Sequence, residues 1–470
     1  MKPPERHEPS PAFSWRDRLG LCAAALAALV VQLDWLAVNL ALPRISAEFS
    51  QSTTNLQWVI SSFMLAFGGL LPIAGRLTDA YGRRRMTIYG TLTFMVSSGI
   101  CAVAPDLLWL IIGRVLQGVG GAFVAPGSVA MISGVFEGRR KNVAIGFVMG
   151  ASGAGAAFGP FVGGILAEFN WRYVFCVNLP VCALAIPLIH WCVRPSRDPV
   201  AAAQRPPLVS AAAVVLGFVG VTLAIDRGPT WGWTSAATLL VAGTGFLLLI
   251  VFVLKETKGS SPLHDHAFYR DPDIQLLTAT GALSVVGYSI LCTFSAIYLE
   301  VDQGLSPLAA GCLFLAISFP DALFSYAAGK VAASTYTYVY LCAAMAITAL
   351  GILLVTWAET LGLYVVAFII CGLGIGLTYG LTNLMTQHRV ASEKAGAAIS
   401  LGLAAKMLAS AIAIALAATS LEALNRGVSG AATNTGALET ILRAAGLLIG
   451  LGSLLLVPRA ATSLRSPRNP

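Results

Sequence analysis

Residues 75–85 read Gly75-Arg76-Leu77-Thr78-Asp79-Ala80-Tyr81-Gly82-Arg83-Arg84-Arg85, and they sit between two uncharged apolar runs. Three consecutive arginines are thereby pinned at a membrane surface a few residues past the expected end of a helix. Short loops on the inner side of a membrane collect arginines in general, and that reading stays open for Arg83, Arg84 and Arg85 taken alone. The spacing of Gly75, Leu77, Asp79, Gly82 and Arg83 adds a pattern that such a loop does not require. The stretch reads as an inner hinge loop rather than a nucleic-acid patch.

Working outward, 57% of the residues are hydrophobic, 11% are charged and the mean hydropathy is +0.77. Those values lie outside the range of soluble domains. Crossing about 30 Å of hydrocarbon takes about twenty apolar residues. Fourteen such runs are expected, at 19–42, 56–78, 85–104, 107–131, 142–167, 172–193, 208–225, 235–254, 274–299, 307–328, 336–357, 361–385, 394–418 and 438–457. With the N-terminus inside, 23 of the 30 Lys and Arg fall in inner segments and 5 in outer loops, and Arg114 and Lys406 lie within spans. Positive loops are retained on the cytoplasmic side, so both termini are expected there. Anionic lipid accounts for the net charge of +8, and no nucleic-acid partner is expected.

The first run continues past Asp34 to Pro43, too long for a cleaved signal, so an uncleaved helix is expected. All nine cysteines fall within expected spans with no Cys-x-x-Cys pair, which predicts core hydrophobes and neither disulfides nor a metal site. The longest inner connections, near 194–207 and 255–273, flank the seventh and eighth runs. They divide the chain into residues 1–194, a six-helix half; 195–272, two linker helices; and 273–470, a second six-helix half. That is an all-α integral membrane fold with its cavity between halves.

Several motifs carry a family resemblance. The hinge loop matches Gly-x-Leu-x-Asp-x-x-Gly-Arg, with Ala80 where a base is usual. The first run holds Leu33-Asp34 and Val38-Asn39-Leu40-Ala41-Leu42-Pro43, with Leu36 and Ala37 where Thr and Val are usual. The fourth holds Arg114-x-x-Gln117-Gly118, and the fifth holds Gly155-x-x-x-Gly159-Pro160-x-x-Gly163-Gly164. Trp171-Arg172-Tyr173, Asn178-x-Pro180 and Gly228-Pro229 with Gly232-Trp233 are further landmarks. Together they resemble the fourteen-helix drug:proton antiporters of the major facilitator superfamily. The resemblance implies an inner gate at Gly75, Asp79, Gly82, Arg83 and Arg84, in which Asp79 pairs with loop arginines and accepts hydrogen bonds from the start of a helix in the other half. It implies an antiporter motif at Gly155, Gly159, Pro160, Gly163 and Gly164 that seals the outer end of the cavity. The second-half loop from Gly329-Lys330 to Tyr338 lacks the acidic and arginine residues of a second gate copy.

An ionised carboxylate deep in a span costs about 2.5–3.5 kcal/mol by insertion scales, so Asp34 implies a pathway, a partner or a raised pKa, and Asp321 is the second acidic candidate. Asp34, with Trp35 and Asn39 nearby on its helix, is the candidate proton or cation site. Its other reading is a carboxylate capping local backbone. Arg114 cannot discharge; it serves either as the partner of Asp34 or as helix glue through Gln117. Asp321 follows Pro320, which frees backbone carbonyls, and the alternative is an Asp satisfied by Lys330 or by inner-surface water. Lys406 reads as a helix-packing or inner-gate cation, with a substrate ligand as the other reading. His190 and His388 read as packing groups near inner helix ends, and Glu300 as an outer-surface charge.

The expected function is proton-driven export of small hydrophobic, drug-like or cationic compounds across a bacterial inner membrane by a monomer. The proton gradient drives it, with no cofactor, metal or catalytic residue. The rivals are a dedicated exporter of one endogenous metabolite or amino acid, and a transport-inactive membrane sensor.

Overall fold

The structure is a computed structural model, and it describes residues 13–50, 53–197, 208–258, 271–299, 303–332, 334, 336–390, 395–425 and 435–465. Fourteen long helices carry the fold: α1 (Trp15–Ala37), α2 (Thr53–Tyr81), α3 (Arg83–Ala102), α4 (Leu107–Ser133), α5 (Gly138–Phe169), α6 (Asn178–Cys192), α7 (Leu208–Trp231), α8 (Ala236–Lys258), α9 (Pro272–Ile297), α10 (Pro307–Val331), α11 (Thr337–Val355), α12 (Leu361–Arg389), α13 (Ala395–Asn425) and α14 (Thr435–Leu454). No strand occurs among the described residues. Among the described residues, eleven helices are long and apolar enough to cross a membrane, and twelve if the bent α5 counts as one span. The arginines and hydroxyls of α3 dilute its hydropathy, and only residues 398–414 of α13 form a shorter apolar stretch.

Caps fix several starts. Ser14 and Asp17 form a reciprocal capping box at α1, and Asp106 accepts from the Trp109 N–H at α4. Ser306 and Thr360 do the same for α10 and α12.

Three boundaries differ from the sequence reading. First, α2 runs on to Tyr81 and α3 begins at Arg83, so Asp79 lies inside α2 and the arginines form the first turn of α3 rather than a loop. Gly82 alone makes the turn, at φ +106°, a conformation that a side chain disfavours. Second, α1 ends at Ala37 and is followed by a 3₁₀ turn at Val38–Ala41 and a short helix at Leu42–Phe49, where one span to residue 42 was expected. Third, α5 bends by 44° between 138–156 and 161–169, across Gly159-Pro160.

Within the first six helices, α1 packs on α4, α5 and α6, α2 on α4, and α3 on α4 and α6. Within the last six, α10 and α11 pack on α12, and α9 packs on α12, α13 and α14. The two bundles meet along α5–α10 and α2–α13. Helices α7 and α8 pair with each other, and α7 lies against both α2 and α13. The Phe218 ring of α7 fills the notch left by Gly68 of α2, Asp226 accepts from the Ser61 hydroxyl at 2.6 Å, and Arg227 lies 3.9 Å from the Trp58 ring.

Phe13 and Arg465, at the two ends of the described chain, share one face of the bundle, called here the terminal face; the opposite one is the far face. On the terminal face Arg140 meets Asp17 at 3.1 Å, while Arg389 and Arg459 both reach Asp273, at 2.5 and 2.7 Å.

Candidate functional site

Asp34 is reached by side chains from two other helices, α4 and α6. Apart from Gln32, its neighbours along α1 are apolar, and its exposure is 0%. Its Oδ2 receives Arg114 Nη1 at 2.5 Å. Its Oδ1 receives Asn178 Nδ2 at 2.7 Å and Gln117 Nε2 at 3.2 Å. Ser98 Oγ, on α3, accepts from both amides, at 2.7 Å from Gln117 and 3.2 Å from Asn178. A buried carboxylate needs such a complete donor set, because an unpaired charge in a low-dielectric interior is strongly destabilising.

Arg114 is as buried as its partner. Its Nε donates to the Val59 carbonyl of α2 at 3.0 Å, and Nη1 also donates to Gln117 Oε1 at 2.7 Å. The Phe63 and Phe175 rings flank the guanidinium at 4.4 and 5.9 Å. One buried donor, Nη2, has no hydrogen-bond partner. Both sequence readings of Arg114 therefore coexist: it pairs with Asp34 and it ties α4 to α2. Five of the first six helices meet at this network.

Trp35 is partly buried and packs against the apolar core. Asn39 belongs to the 3₁₀ turn, and its side chain lies outside the described residues. Sequence reading missed Ser98 and did not assign Asn178 to the site. Both are neutral, and the only visible signal was a hydroxyl pair, Ser97-Ser98, in an apolar run and an asparagine opening α6.

Asp321 lies apart from this network, on α10. It is half-buried, receives the Ser325 hydroxyl at 3.5 Å, and faces Gly153 of α5 across the seam between bundles. Lys330 is not its partner: that ammonium lies 4.9 Å from the Tyr326 ring. Lys406 is buried, donates to Asn383 Oδ1 at 2.9 Å and lies 5.0 Å from the Tyr379 ring. The same Asn383 directs its amide to Met149 Sδ of α5 at 3.9 Å. One turn on, His388 Nε2 lies 2.6 Å from Asn142 Oδ1 of α5, so this histidine bridges the two bundles rather than merely packing. Glu300 lies outside the described residues.

In the gate stretch, Arg83 Nε donates to Asp79 Oδ1 at 2.9 Å with both groups nearly fully buried. The Arg83 N–H donates to the Ser196 carbonyl, and Arg84 donates to the His190 and Val193 carbonyls at the end of α6. These contacts stitch α2 and α3 to α6 within one bundle. Of the partners expected for Asp79, the loop arginine is present, as Arg83.

The glycines of α5 serve two neighbours. Gly155, Gly159 and Gly163 abut the backbone of α1 at Leu29, Leu33 and Ala37, within the same bundle, and Gly164 is partly buried beside them. The side chain of Pro160 is outside the described ones. Nearer the terminal face, a Cβ at Gly146 would lie 2.9 Å from the Tyr326 carbonyl, and one at Gly150 2.9 Å from that of Ala322, both on α10. The motif glycines Gly155, Gly159 and Gly163 thus face α1 within their own bundle, and the cross-bundle approach to α10 is made by Gly146 and Gly150, nearer the terminal face.

The Major Facilitator Superfamily model matches residues 24–414. The chain is 31% identical over 412 residues, 86% of its length and 76% of the relative's, to multidrug resistance protein Stp of Mycobacterium tuberculosis. It is 32% identical over 465 residues, covering 94% and 90%, to puromycin resistance protein pur8 of Streptomyces alboniger. Among solved structures, the crystal structure of the human organic anion transporter MFSD10 shares the fold at a TM-score of 0.69 and 14% identity, covering 95% of this chain and 100% of that one. With fourteen long helices in two abutting bundles and relatives that are multidrug and antibiotic resistance transporters, the chain belongs to the major facilitator superfamily and is a multi-pass membrane transporter of small molecules.

Proposed function

We propose that the chain is a proton-coupled antiporter that exports small hydrophobic, drug-like or cationic compounds across the bacterial inner membrane by alternating access, with both termini in the cytoplasm. The observation that carries this reading is the Asp34–Arg114 pair, sealed at 0% exposure inside the first bundle. A proton on Asp34 removes the charge that Arg114 answers, in a site where Arg114 already has one donor unpaired. The network then has to rearrange, and it touches α1, α2, α3, α4 and α6 at once. That makes it a lever able to bias one bundle against the other. The names of the resistance relatives support a drug cargo and the export direction.

The topology is supported by the skew of Lys and Arg, which makes the terminal face cytoplasmic. The conformation described is then closed on its cytoplasmic side along α5–α10. A proton entering down 100 mV supplies about 2.3 kcal/mol, with about 1.4 more per pH unit. That suffices for a cargo gradient of several hundredfold. If one monovalent cation leaves per proton, charge movement cancels and only the pH component drives transport. Asp34 and Asp321 suit cationic cargo.

The test is proton release from inside-out vesicles on adding ethidium, neutral and anionic drugs, for wild type and Asp34→Asn. We expect a cargo-dependent signal in wild type that Asp34→Asn abolishes. An unchanged signal in the variant would move coupling to another residue, and silence for every compound would defeat the reading. The name of the puromycin relative favours a narrower alternative, a dedicated exporter, which would protect cells against none of a panel of unrelated toxic cations.

A further inference from the structure

A cavity of about 460 Å³ opens on the far face, within the second bundle and away from the seam between bundles. Helices α9, α12 and α14 and the turn after α11 surround it. Its floor is apolar and buried, formed by Phe294, Tyr364 and Leu438 among others. Its rim is polar and aromatic: Trp357, Glu359 and the Glu439–Arg443 pair. Arg443 Nη2 meets Glu439 Oε2 at 2.8 Å, and its Nε donates to Thr356 Oγ1 at 3.3 Å, so that cation is answered within the wall. Glu359 is exposed and has no hydrogen bond or ion pair among the described residues. Among the described residues the cavity therefore carries one uncompensated negative charge beside a Trp ring that is 58% exposed.

Taken singly, Trp357 fits a membrane-interface anchor and Arg443–Glu439 an exposed helical pair. Together with the cavity they do more. Small-molecule sites run to about 300–1,000 Å³, with an apolar lining and a few placed polar groups. An anionic rim over aromatic faces selects an organic cation, through charge and cation–π attraction. An aromatic column continues from the floor: Tyr298 stacks on Tyr364 at 5.8 Å, Tyr364 meets Phe368 at 4.9 Å, and Phe368 meets Phe314 at 5.4 Å. Phe314 lies on α10 two helical turns from Asp321 and on the same face of that helix.

We infer that this cavity is a second binding site, for an amphipathic organic cation, with Glu359 as counter-ion and Trp357 as aromatic wall. An ammonium headgroup of a lipid and a free cationic compound share this chemistry. The site's place as an outer station on the cargo route rests on the export reading above, whereas binding itself does not.

Equilibrium binding of tetraphenylphosphonium to the full-length chain in phosphatidylglycerol nanodiscs tests this, in an Asp321→Asn background so that a site at Asp321 does not report. Saturable binding is expected there, with a dissociation constant raised about tenfold by Glu359→Gln or Trp357→Ala. A Leu448→Ala control on an exposed leucine should leave it unchanged. Both rim side chains are exposed, so the variants should keep the parent's melting profile. Displacement of the probe by added phosphatidylethanolamine would identify the occupant as a lipid ammonium at the inferred site. Absence of saturable binding, or binding that neither rim substitution changes, overturns the inference. Because no proton gradient is involved, a chain that binds yet releases no protons in the vesicle assay defeats only the export reading.

Discussion

At the scale of single residues, Asp34 and Arg114 of the first bundle are a fully buried acid and base in contact, and removing either leaves the other as an unpaired interior charge. Such a loss costs about 3–5 kcal/mol, whereas replacing both partners by neutral groups of similar shape is far milder. Arg114→Leu is therefore expected to lower the detergent-solubilised melting temperature sharply. The double variant Asp34→Leu with Arg114→Leu should recover most of that loss, and it should show no proton release. A double variant as unstable as Arg114→Leu alone would show that the pair is not the source of the penalty. The pairing was legible in the sequence because Asp34 and Arg114 are conspicuous charges in apolar runs. Ser98 and Asn178, which complete the donor set on Asp34, were not: a neutral hydroxyl or amide in a helix announces nothing until its neighbours are known.

At the scale of elements, the existence and order of the long helices followed from apolar run length, while their ends and faces did not. The arginines after Tyr81 looked like a loop because charge usually marks one, and a single glycine with positive φ made a loop unnecessary. The glycines of α5 suggested close approach without saying to which helix. The answer was α1 on one side and α10 on the other, which depends on how the bundle assembles. The short helix at Leu42–Phe49 is held by Glu48, which accepts from the Trp171 indole at 2.6 Å and from Arg172 Nη1 at 2.7 Å. Those contacts hold the Glu48 carboxyl below its ordinary 4.5, the Trp171 hydrogen bond first and the Arg172 contact next. A lowered value means that the stabilisation is fully present above pH 4.5 and fades as pH falls through the folded-state value. The gap in melting temperature between wild type and Glu48→Gln should accordingly be constant near neutrality and close on acidification below pH 4.5. A gap that persisted there would exclude ionised Glu48 as its origin.

At the scale of the whole molecule, the closed seam near the terminal face rests on backbone proximity at Gly146 and Gly150 and on two polar contacts, His388–Asn142 and Asn383–Met149. Leucine at Gly150 cannot fit, since its Cβ alone would stand 2.9 Å from the Ala322 carbonyl. Gly150→Leu combined with Asn142→Ala should shift the population toward a conformation open at that face. The shift would be read as a longer spin-label distance between residues 139 and 330, with a shorter one between 105 and 359 on the far face. An unaltered 139–330 distance would show that the seam is held elsewhere. None of these cross-bundle contacts could be read from the sequence, because the residues concerned are separated by more than 170 positions and most are neutral.

The burial of the Asp34–Arg114 network has a kinetic side. With no exposed surface, the carboxylate cannot trade its hydron with bulk water by collision, so exchange waits on a local opening whose frequency the surrounding five helices set. In the conformation described, a proton route through Asp34 is closed. A resting population of such molecules would dissipate an ion gradient no faster than that opening allows.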